Sequence, residues 1–152
     1  MVQFLKTDIC VVGAGSGGLS VAAGAVQMGA DVVLVEGGKM GGDCLNYGCV
    51  PSKALLAAAH AAHVHTRARG LGLSARAPQV NFEQVMDHVH DVIAGIAPVD
   101  SVERFSKLGV KVIENYGRFI SPKIMAAVKY HIAAKRFVIA TGSSAAVPPV
   151  PG

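Results

Sequence analysis

The chain has 152 residues, a length that suits one globular domain with a core of its own. Apolar residues make up 51% of it and charged residues 16%, a composition that excludes a disordered chain. The net charge is +4 and the basic residues form no dense run, so we expect no nucleic-acid partner. Three cysteines, an odd number, exclude a disulfide-stapled scaffold.

The first part of the chain predicts a βαβ unit. A β-branched stretch at 7–12 predicts a buried strand, and the Ala-, Val- and Leu-rich stretch 15–29 predicts a helix that ends at a glycine. A second buried strand is expected at 31–35, followed by a glycine-rich loop at 37–42. Residues 9–30 carry no charge and are long enough to cross a bilayer, but their six glycines and flanking strands favour the βαβ unit. We therefore expect no membrane association and, because no secretory signal opens the chain, a cytoplasmic protein.

The middle of the chain predicts mainly helix. A stretch of Ala, Leu and His predicts a helix at 53–69, and a loop is expected at 70–80. Asn81 can cap a second helix at 82–96. Pro98 interrupts that helix, and a short helical segment is expected after it.

The last part of the chain predicts strands and a tail. Four strands are expected, at 110–116, 119–121, 124–128 and 136–140. The proline-rich tail 148–152 predicts a linker that leaves a domain of residues 1–147. Together with the βαβ unit, these elements predict an α/β fold in which a parallel sheet carries a small antiparallel β-meander.

A dinucleotide-binding fingerprint lies at the first strand–helix turn. Gly13, Gly15 and Gly18 form a G-x-G-x-x-G motif, whose glycines permit the tight turn, the approach of a pyrophosphate and close helix packing. Glu36 ends the second strand, where a carboxylate can accept hydrogen bonds from two ribose hydroxyls. The alternative is a glycine-rich helix start that binds nothing. NAD and FAD both fit the motif.

Two cysteines follow the glycine-rich loop. Cys44 and Cys49 lie five positions apart, which indicates a redox pair that needs a distorted turn to close a disulfide. Asp43 could cap that turn, and a thiol close to a helix start has a lowered pKa. Half of a zinc site is the alternative, but a second cysteine pair is missing because Cys10 lies inside the first strand, as a small buried apolar residue. We predict no metal site.

At this point the sequence resembles a known family. The segment GGDCLNYGCVPSK is similar to the active-site motif of the flavin-dependent pyridine nucleotide–disulfide oxidoreductases, which include dihydrolipoamide dehydrogenase, glutathione reductase and mercuric reductase. The segment FVIATGS at 137–143 resembles the second FAD contact of that family. The resemblance covers essentially the whole chain and implies a Rossmann-like FAD-binding domain.

The resemblance also implies roles for single residues. Cys44 would be the interchange thiol that attacks the substrate, and Cys49 the thiol nearest the flavin, which forms the charge-transfer thiolate. Lys53 would lie near the flavin N5, Glu36 would bind the adenosine ribose, and Gly117 would contact the adenine through its backbone. The other cofactor-binding residues that the resemblance implies are Gly13, Gly15, Gly18, Gly42, Asp43, Ala140, Thr141 and Gly142.

One position favours particular branches of the family, and two depart from the family's pattern. Ser52 matches the lipoamide and mercuric branches better than the glutathione branch. Asp43 stands where a threonine is common, and its charge would oppose reduction of the flavin. Tyr47 replaces a small aliphatic residue between the cysteines and could alter access to the disulfide.

The resemblance further implies a reaction. In the intact enzyme, NAD(P)H would reduce FAD, the flavin would reduce the cysteine pair, and the dithiol would reduce a dihydrolipoamide-type disulfide or a mercuric ion. The family's histidine base and its NAD(P)H site belong to domains that this sequence lacks, so we expect a fragment of a homodimeric enzyme that is inactive alone. The alternatives are a NAD-dependent dehydrogenase and a flavin-binding module without turnover.

Overall fold

Six strands form one mixed sheet in a computed structural model, which describes residues 2–68, 71–73 and 78–151. The strands are β1 (Gln3–Val12), β2 (Val32–Glu36), β3 (Lys111–Glu114), β4 (Arg118–Ser121), β5 (Ile124–Ala127) and β6 (Tyr130–Ile139). Their order across the sheet is β3-β2-β1-β6-β5-β4. The strands β3, β2, β1 and β6 are parallel, and β5 and β4 continue the sheet in antiparallel pairing. The predicted α/β, Rossmann-like fold with its antiparallel meander is confirmed.

Five α-helices and one 3-10 turn accompany the sheet in the described residues. They are α1 (Ser16–Gln27), α2 (Gly42–Asn46), α3 (Cys49–Ala68), α4 (Phe82–Ile96), the 3-10 turn Ala97–Asp100, and α5 (Val102–Lys107). The predicted cap of α4 is confirmed, since the Asn81 Oδ1 accepts the backbone N–H of Gln84 at 3.3 Å. The break at Pro98 is confirmed by the 3-10 turn. No described helix is both long and apolar enough to cross a membrane.

Two apolar clusters hold the sheet in place. One packs α1 and α5 against it, with Leu19 and Phe105 buried over Leu34. The other lies on the opposite face, where Met125 and Ile132 of the antiparallel hairpin contact residues of β1, β2 and β3. Each β-strand of the βαβ unit therefore buries both faces, as a parallel strand requires.

Several element boundaries differ from the prediction. β1 begins at Gln3 rather than residue 7, and β6 begins at Tyr130 rather than residue 136, because these two extensions pair with each other. The helix α3 begins at Cys49 rather than residue 53, since a proline in the first turn has no intrahelical N–H partner to lose. Residues 69–70 and 74–77, at the end of the predicted helix and within the predicted loop, lie outside the described residues.

The connection between β5 and β6 consists of Val128 and Lys129. Val128 adopts a φ of 52°, a left-handed conformation that a β-branched residue rarely takes. Glycine or asparagine is the usual choice there, so no turn signal in the sequence marks this connection. After β6, residues 140–151 form neither helix nor strand.

Candidate functional site

A cleft of about 510 Å³ opens at the carboxyl ends of the parallel strands. It lies where the chain leaves β1, with β2 on one side and β6 on the other, which is the position at which open α/β sheets bind their ligands. Sequence-predicted site residues supply much of its lining: Gly13, Gly15, Glu36, Gly42, Asp43, Gly117, Ala140, Thr141 and Gly142. The cleft therefore brings together nine of the predicted residues from distant parts of the chain.

The turn between β1 and α1, which we call the glycine loop (residues 13–18), leaves no room for a side chain at Gly13 or at Gly18. A Cβ on Gly13 would lie 2.1 Å from the carbonyl oxygen of Ala140, and Gly13 has a φ of 106°. A Cβ on Gly18 would lie 1.8 Å from the carbonyl oxygen of Gly13. Gly15 caps α1 without a side-chain partner and no acidic residue occupies the first turn, so the first N–H groups of the helix are available to an anion.

Glu36 reaches back from the end of β2 to the glycine loop. Its Oε2 accepts the backbone N–H of Ala14, and its Oε1 accepts the backbone N–H of Gly38 at 2.6 Å. Each carboxylate oxygen thus accepts one backbone N–H, one from the glycine loop and one from the loop after β2.

The segment that carries the two cysteines, which we call the dithiol segment (residues 41–53), begins against the glycine loop. The Gly41 N–H donates to the Ala14 carbonyl at 2.9 Å. A Cβ on Gly42 would lie 2.6 Å from the Gly15 Cα, and Gly42 has a φ of 58°. Only glycine allows these two backbones to come so close.

Asn46 holds the start of the dithiol segment in shape. Its side-chain amide donates to the Met40 carbonyl at 3.0 Å and to the Gly42 carbonyl at 2.8 Å. The sequence analysis gave this residue no role, although it stands inside the cysteine motif. A polar residue next to a glycine-rich turn is the signal that could have identified it.

Cys44 lies in α2, and Cys49 is the first residue of α3. Both are thiols, and Cys49 is the more exposed of the two. A hydrogen bond with the Cys49 thiol raises the pKa of Cys44, burial adds to this rise, and the charge of Lys53 acts weakly in the opposite direction. The lowered pKa expected of a thiol near a helix start therefore does not hold for Cys44, whose pKa is raised chiefly by its hydrogen bond with Cys49.

Cys10, in contrast, lies fully buried in β1. Removal of its thiol from water raises its pKa to about 12. This agrees with the interpretation of Cys10 as a small apolar core residue rather than a reactive one.

Gly18, Cys44, Cys49 and Lys53 do not line the cleft. Gly18 is the buried last residue of the glycine loop, and the other three lie in the dithiol segment. The cleft and the thiol pair are therefore neighbouring parts of one site, joined by the backbone contact at Gly42.

The cleft is also lined by residues to which the sequence analysis gave no site role, among them Lys39, Asn115 and Tyr116. The Tyr116 ring covers Gly37, where a Cβ would lie 2.5 Å from the ring. Tyr47, which the sequence analysis expected to affect access to the disulfide, lines the cleft, with the Lys39 Nζ 5.6 Å from its ring centroid. The glycines at 37 and 38 hinted at such close approach, but their partners come from elsewhere in the chain.

Known proteins resemble this chain in sequence and in fold. The family described as pyridine nucleotide-disulphide oxidoreductase matches residues 7–152. A mercuric reductase of Bacillus cereus is 32% identical over 145 residues, which cover 95% of this chain and 23% of the relative. A dihydrolipoyl dehydrogenase of Halobacterium salinarum is 42% identical over 114 residues, which cover 74% of this chain and 23% of the relative.

A solved structure confirms the fold. The HOCl-induced flavoprotein disulfide reductase of Escherichia coli, in its Cu(II) complex, superposes with a TM-score of 0.74 at 24% identity, covering 95% of this chain and 30% of that one. The first curated relatives are matched over 23%, 34% and 29% of their own lengths, so the chain spans about a quarter to a third of them. With the family match over nearly all its residues, the chain belongs to the pyridine nucleotide-disulphide oxidoreductase family.

Proposed function

We propose that this chain is the FAD-binding, dithiol-carrying part of a flavoprotein disulfide oxidoreductase. In the whole enzyme, electrons would pass from NAD(P)H through FAD to Cys44 and Cys49, and from the dithiol to a disulfide of the dihydrolipoamide type. One observation carries the proposal: the dithiol segment begins in backbone contact with the glycine loop, at Gly42 and Gly15. A dinucleotide held by the loop would thereby have a thiol pair beside it.

The cleft suits an adenine dinucleotide. Gly13, Gly15 and Gly42 leave backbone where side chains would fill the space, and the unneutralised start of α1 favours a pyrophosphate. Glu36 and Gly117 both line the cleft, where Glu36 would accept the hydroxyls of a ribose and Gly117 would offer its backbone to the adenine. When bound, FAD supplies the two-electron chemistry that links a nicotinamide to thiols.

The chain's own residues supply the thiol chemistry. The Cys44 thiolate would attack one sulfur of the substrate disulfide, which breaks that bond, forms a mixed disulfide and releases one substrate thiol after protonation. Cys49 would then attack the Cys44 sulfur, which releases the second thiol and leaves a Cys44–Cys49 disulfide. The dithiol loses two electrons and the substrate gains two. Lys53, one helical turn beyond Cys49, is placed to favour the thiolate of Cys44.

Two observations support mercuric ion as a second candidate substrate. Ser52 fits both the lipoamide and the mercuric branches, and mercuric reductases stand among the relatives at 29–32% identity. A mercuric ion reduced by the same dithiol is therefore the alternative, as is a flavin-binding part without turnover of its own. NAD(P)H binding and a homodimeric assembly are proposed for the enzyme as a whole.

The cofactor is tested by titration of the purified chain with FAD and with FMN, followed by flavin fluorescence. We expect FAD to bind and FMN to bind at least tenfold more weakly, because FMN lacks the adenosine and the second phosphate. As a control, Gly24→Ala should bind FAD as the wild-type chain does, since nothing lies within 4 Å of its added Cβ in α1. Equal affinity for FAD and FMN would contradict the proposal.

The substrate is tested with the enzyme that contains this chain. NAD(P)H oxidation is measured with lipoamide, glutathione disulfide and mercuric ion in turn, and Cys44→Ser is the control for thiol transfer. We expect lipoamide to support turnover and the variant to abolish it. The 152-residue chain alone is expected to give no turnover. Turnover with mercuric ion alone would favour the second candidate.

A further inference from the structure

We propose that Glu36 is a positioning residue for the glycine loop, in addition to its proposed contact with a ribose. The proposal rests on the dinucleotide site put forward above. It starts from the two hydrogen bonds that the Glu36 carboxylate accepts, one from the Ala14 N–H and one from the Gly38 N–H. A residue that only bound a ribose would need neither.

Ala14 is the residue through which Glu36 acts. It stands at the tip of the glycine loop between Gly13 and Gly15, and it is fully buried. Its N–H is bound by Glu36, and its carbonyl accepts the Gly41 N–H at 2.9 Å. The flanking glycines have more backbone freedom than any other residue, so the shape of the loop depends on these external partners.

The carboxylate has the capacity for both tasks. Two oxygens offer about four acceptor positions, of which the two backbone N–H groups use two. Two positions remain for the two hydroxyls of a ribose. Glu36 can therefore hold the loop and the ribose at the same time.

This geometry separates glutamate from glutamine. Each oxygen of Glu36 faces a backbone N–H, so Glu36→Gln must turn its NH2 group toward either Ala14 or Gly38, whichever way the amide is rotated. One donor then loses its acceptor. A ligand that touches the loop only through its phosphates should be sensitive to this change, even when it has no ribose hydroxyls.

The test compares ADP with 2′,3′-dideoxy-ADP by calorimetry on the wild-type chain and on Glu36→Gln. We expect Glu36→Gln to weaken the binding of both nucleotides, the dideoxy form by about tenfold, which is the scale of one hydrogen bond to a charged group. The matched control is Glu114→Gln, because Glu114 is the register partner of Glu36 on β3 and accepts no hydrogen bond among those of the described residues. If Glu36→Gln weakens ADP but leaves dideoxy-ADP unchanged, Glu36 acts through the ribose alone and the inference is wrong.

A second measurement needs no ligand. In the wild-type chain the Ala14 amide should exchange slowly with solvent and resonate downfield, as a donor to a carboxylate does, and both features should be lost in Glu36→Gln but kept in Glu114→Gln. Failure of ADP to bind wild-type protein would count against the proposed function, whereas an unchanged Ala14 amide in Glu36→Gln would overturn the present inference.

Discussion

The close packing of the glycine loop can be measured with two alanine substitutions in one helix. Gly18→Ala places a Cβ 1.8 Å from the Gly13 carbonyl oxygen and 3.3 Å from the Val11 Cγ1, whereas Gly24→Ala meets no atom within 4 Å. An ordinary contact between carbon and a carbonyl oxygen is about 3.3 Å or longer, so the loop or the helix start must move by more than 1 Å, roughly, in Gly18→Ala.

The expected change in melting temperature follows from the difference in stability between the two variants. Both gain helix propensity from the loss of a glycine, about 0.5–1 kcal/mol in a helix interior. Gly18→Ala alone overpacks a buried contact, which costs about 1–3 kcal/mol. For a domain of this size the two melting temperatures should differ by about 2–12 °C, with Gly24→Ala above the wild-type chain and Gly18→Ala below Gly24→Ala.

Thermal unfolding followed by circular dichroism measures the difference in melting temperature, and a parallel titration measures the affinity of each variant for FAD. We expect Gly18→Ala to bind FAD at least tenfold more weakly, because the displaced loop no longer presents its N–H groups to a pyrophosphate. Gly24→Ala should bind FAD as the wild-type chain does. Equal melting temperatures and equal FAD affinities for the two variants would refute the close packing of helix and loop.

Two further predictions concern groups outside the cleft. In the native chain, iodoacetamide at pH 8 should alkylate Cys49 and Cys44 and leave Cys10 unmodified, because burial raises the pKa of Cys10 to about 12. Peptide mass spectrometry identifies which cysteines are alkylated first. Early labelling of Cys10 would contradict the prediction. Asp8 accepts hydrogen bonds from Lys135 and from the backbone of residue 31, and these lower the pKa of its carboxyl below 3.8. The contribution of Asp8 to stability is therefore present above that pH. It is lost as the pH falls through the lowered pKa of the folded state. Asp8→Asn should therefore lower the free energy of unfolding at pH 7, and this loss should shrink as the pH falls below 3.8; a loss that does not change with pH would contradict the prediction.

Local patterns predicted the elements that local interactions form. The unit β1-α1-β2 was evident from a β-branched run, a glycine motif and a second apolar run, and the helix α4 from its Asn81 cap. The nine predicted residues in the cleft follow from the same motifs and from the resemblance. Parallel strands place their carboxyl ends together, so motifs at strand ends converge on one site.

Pairing between distant segments was beyond the sequence. The first half of β6 contains His131 and Ala133, which carry no strand signal of their own, and it is extended because β1 and β5 pair with it on both sides. The approach of Tyr116 to Gly37 and of Tyr47 to the cleft joins separate segments in the same way. The hydrogen bond that the Ala14 N–H donates to Glu36 depends on a loop shape that no local pattern specifies.

The pairing of β1 with β6 has a consequence for how the chain folds. Gln3 pairs with Tyr130 and Val12 with Ile139, so the centre of the sheet joins its first and last strands in chain order. Such contacts close a long loop before they return any stabilisation, which raises the contact order and slows folding. During synthesis, β1 and β2 can pair early, but the other edge of β1 has no neighbour until β6 has left the ribosome. Until then that edge offers unpaired backbone to other chains, and β6, the last strand of this sheet in chain order, closes it.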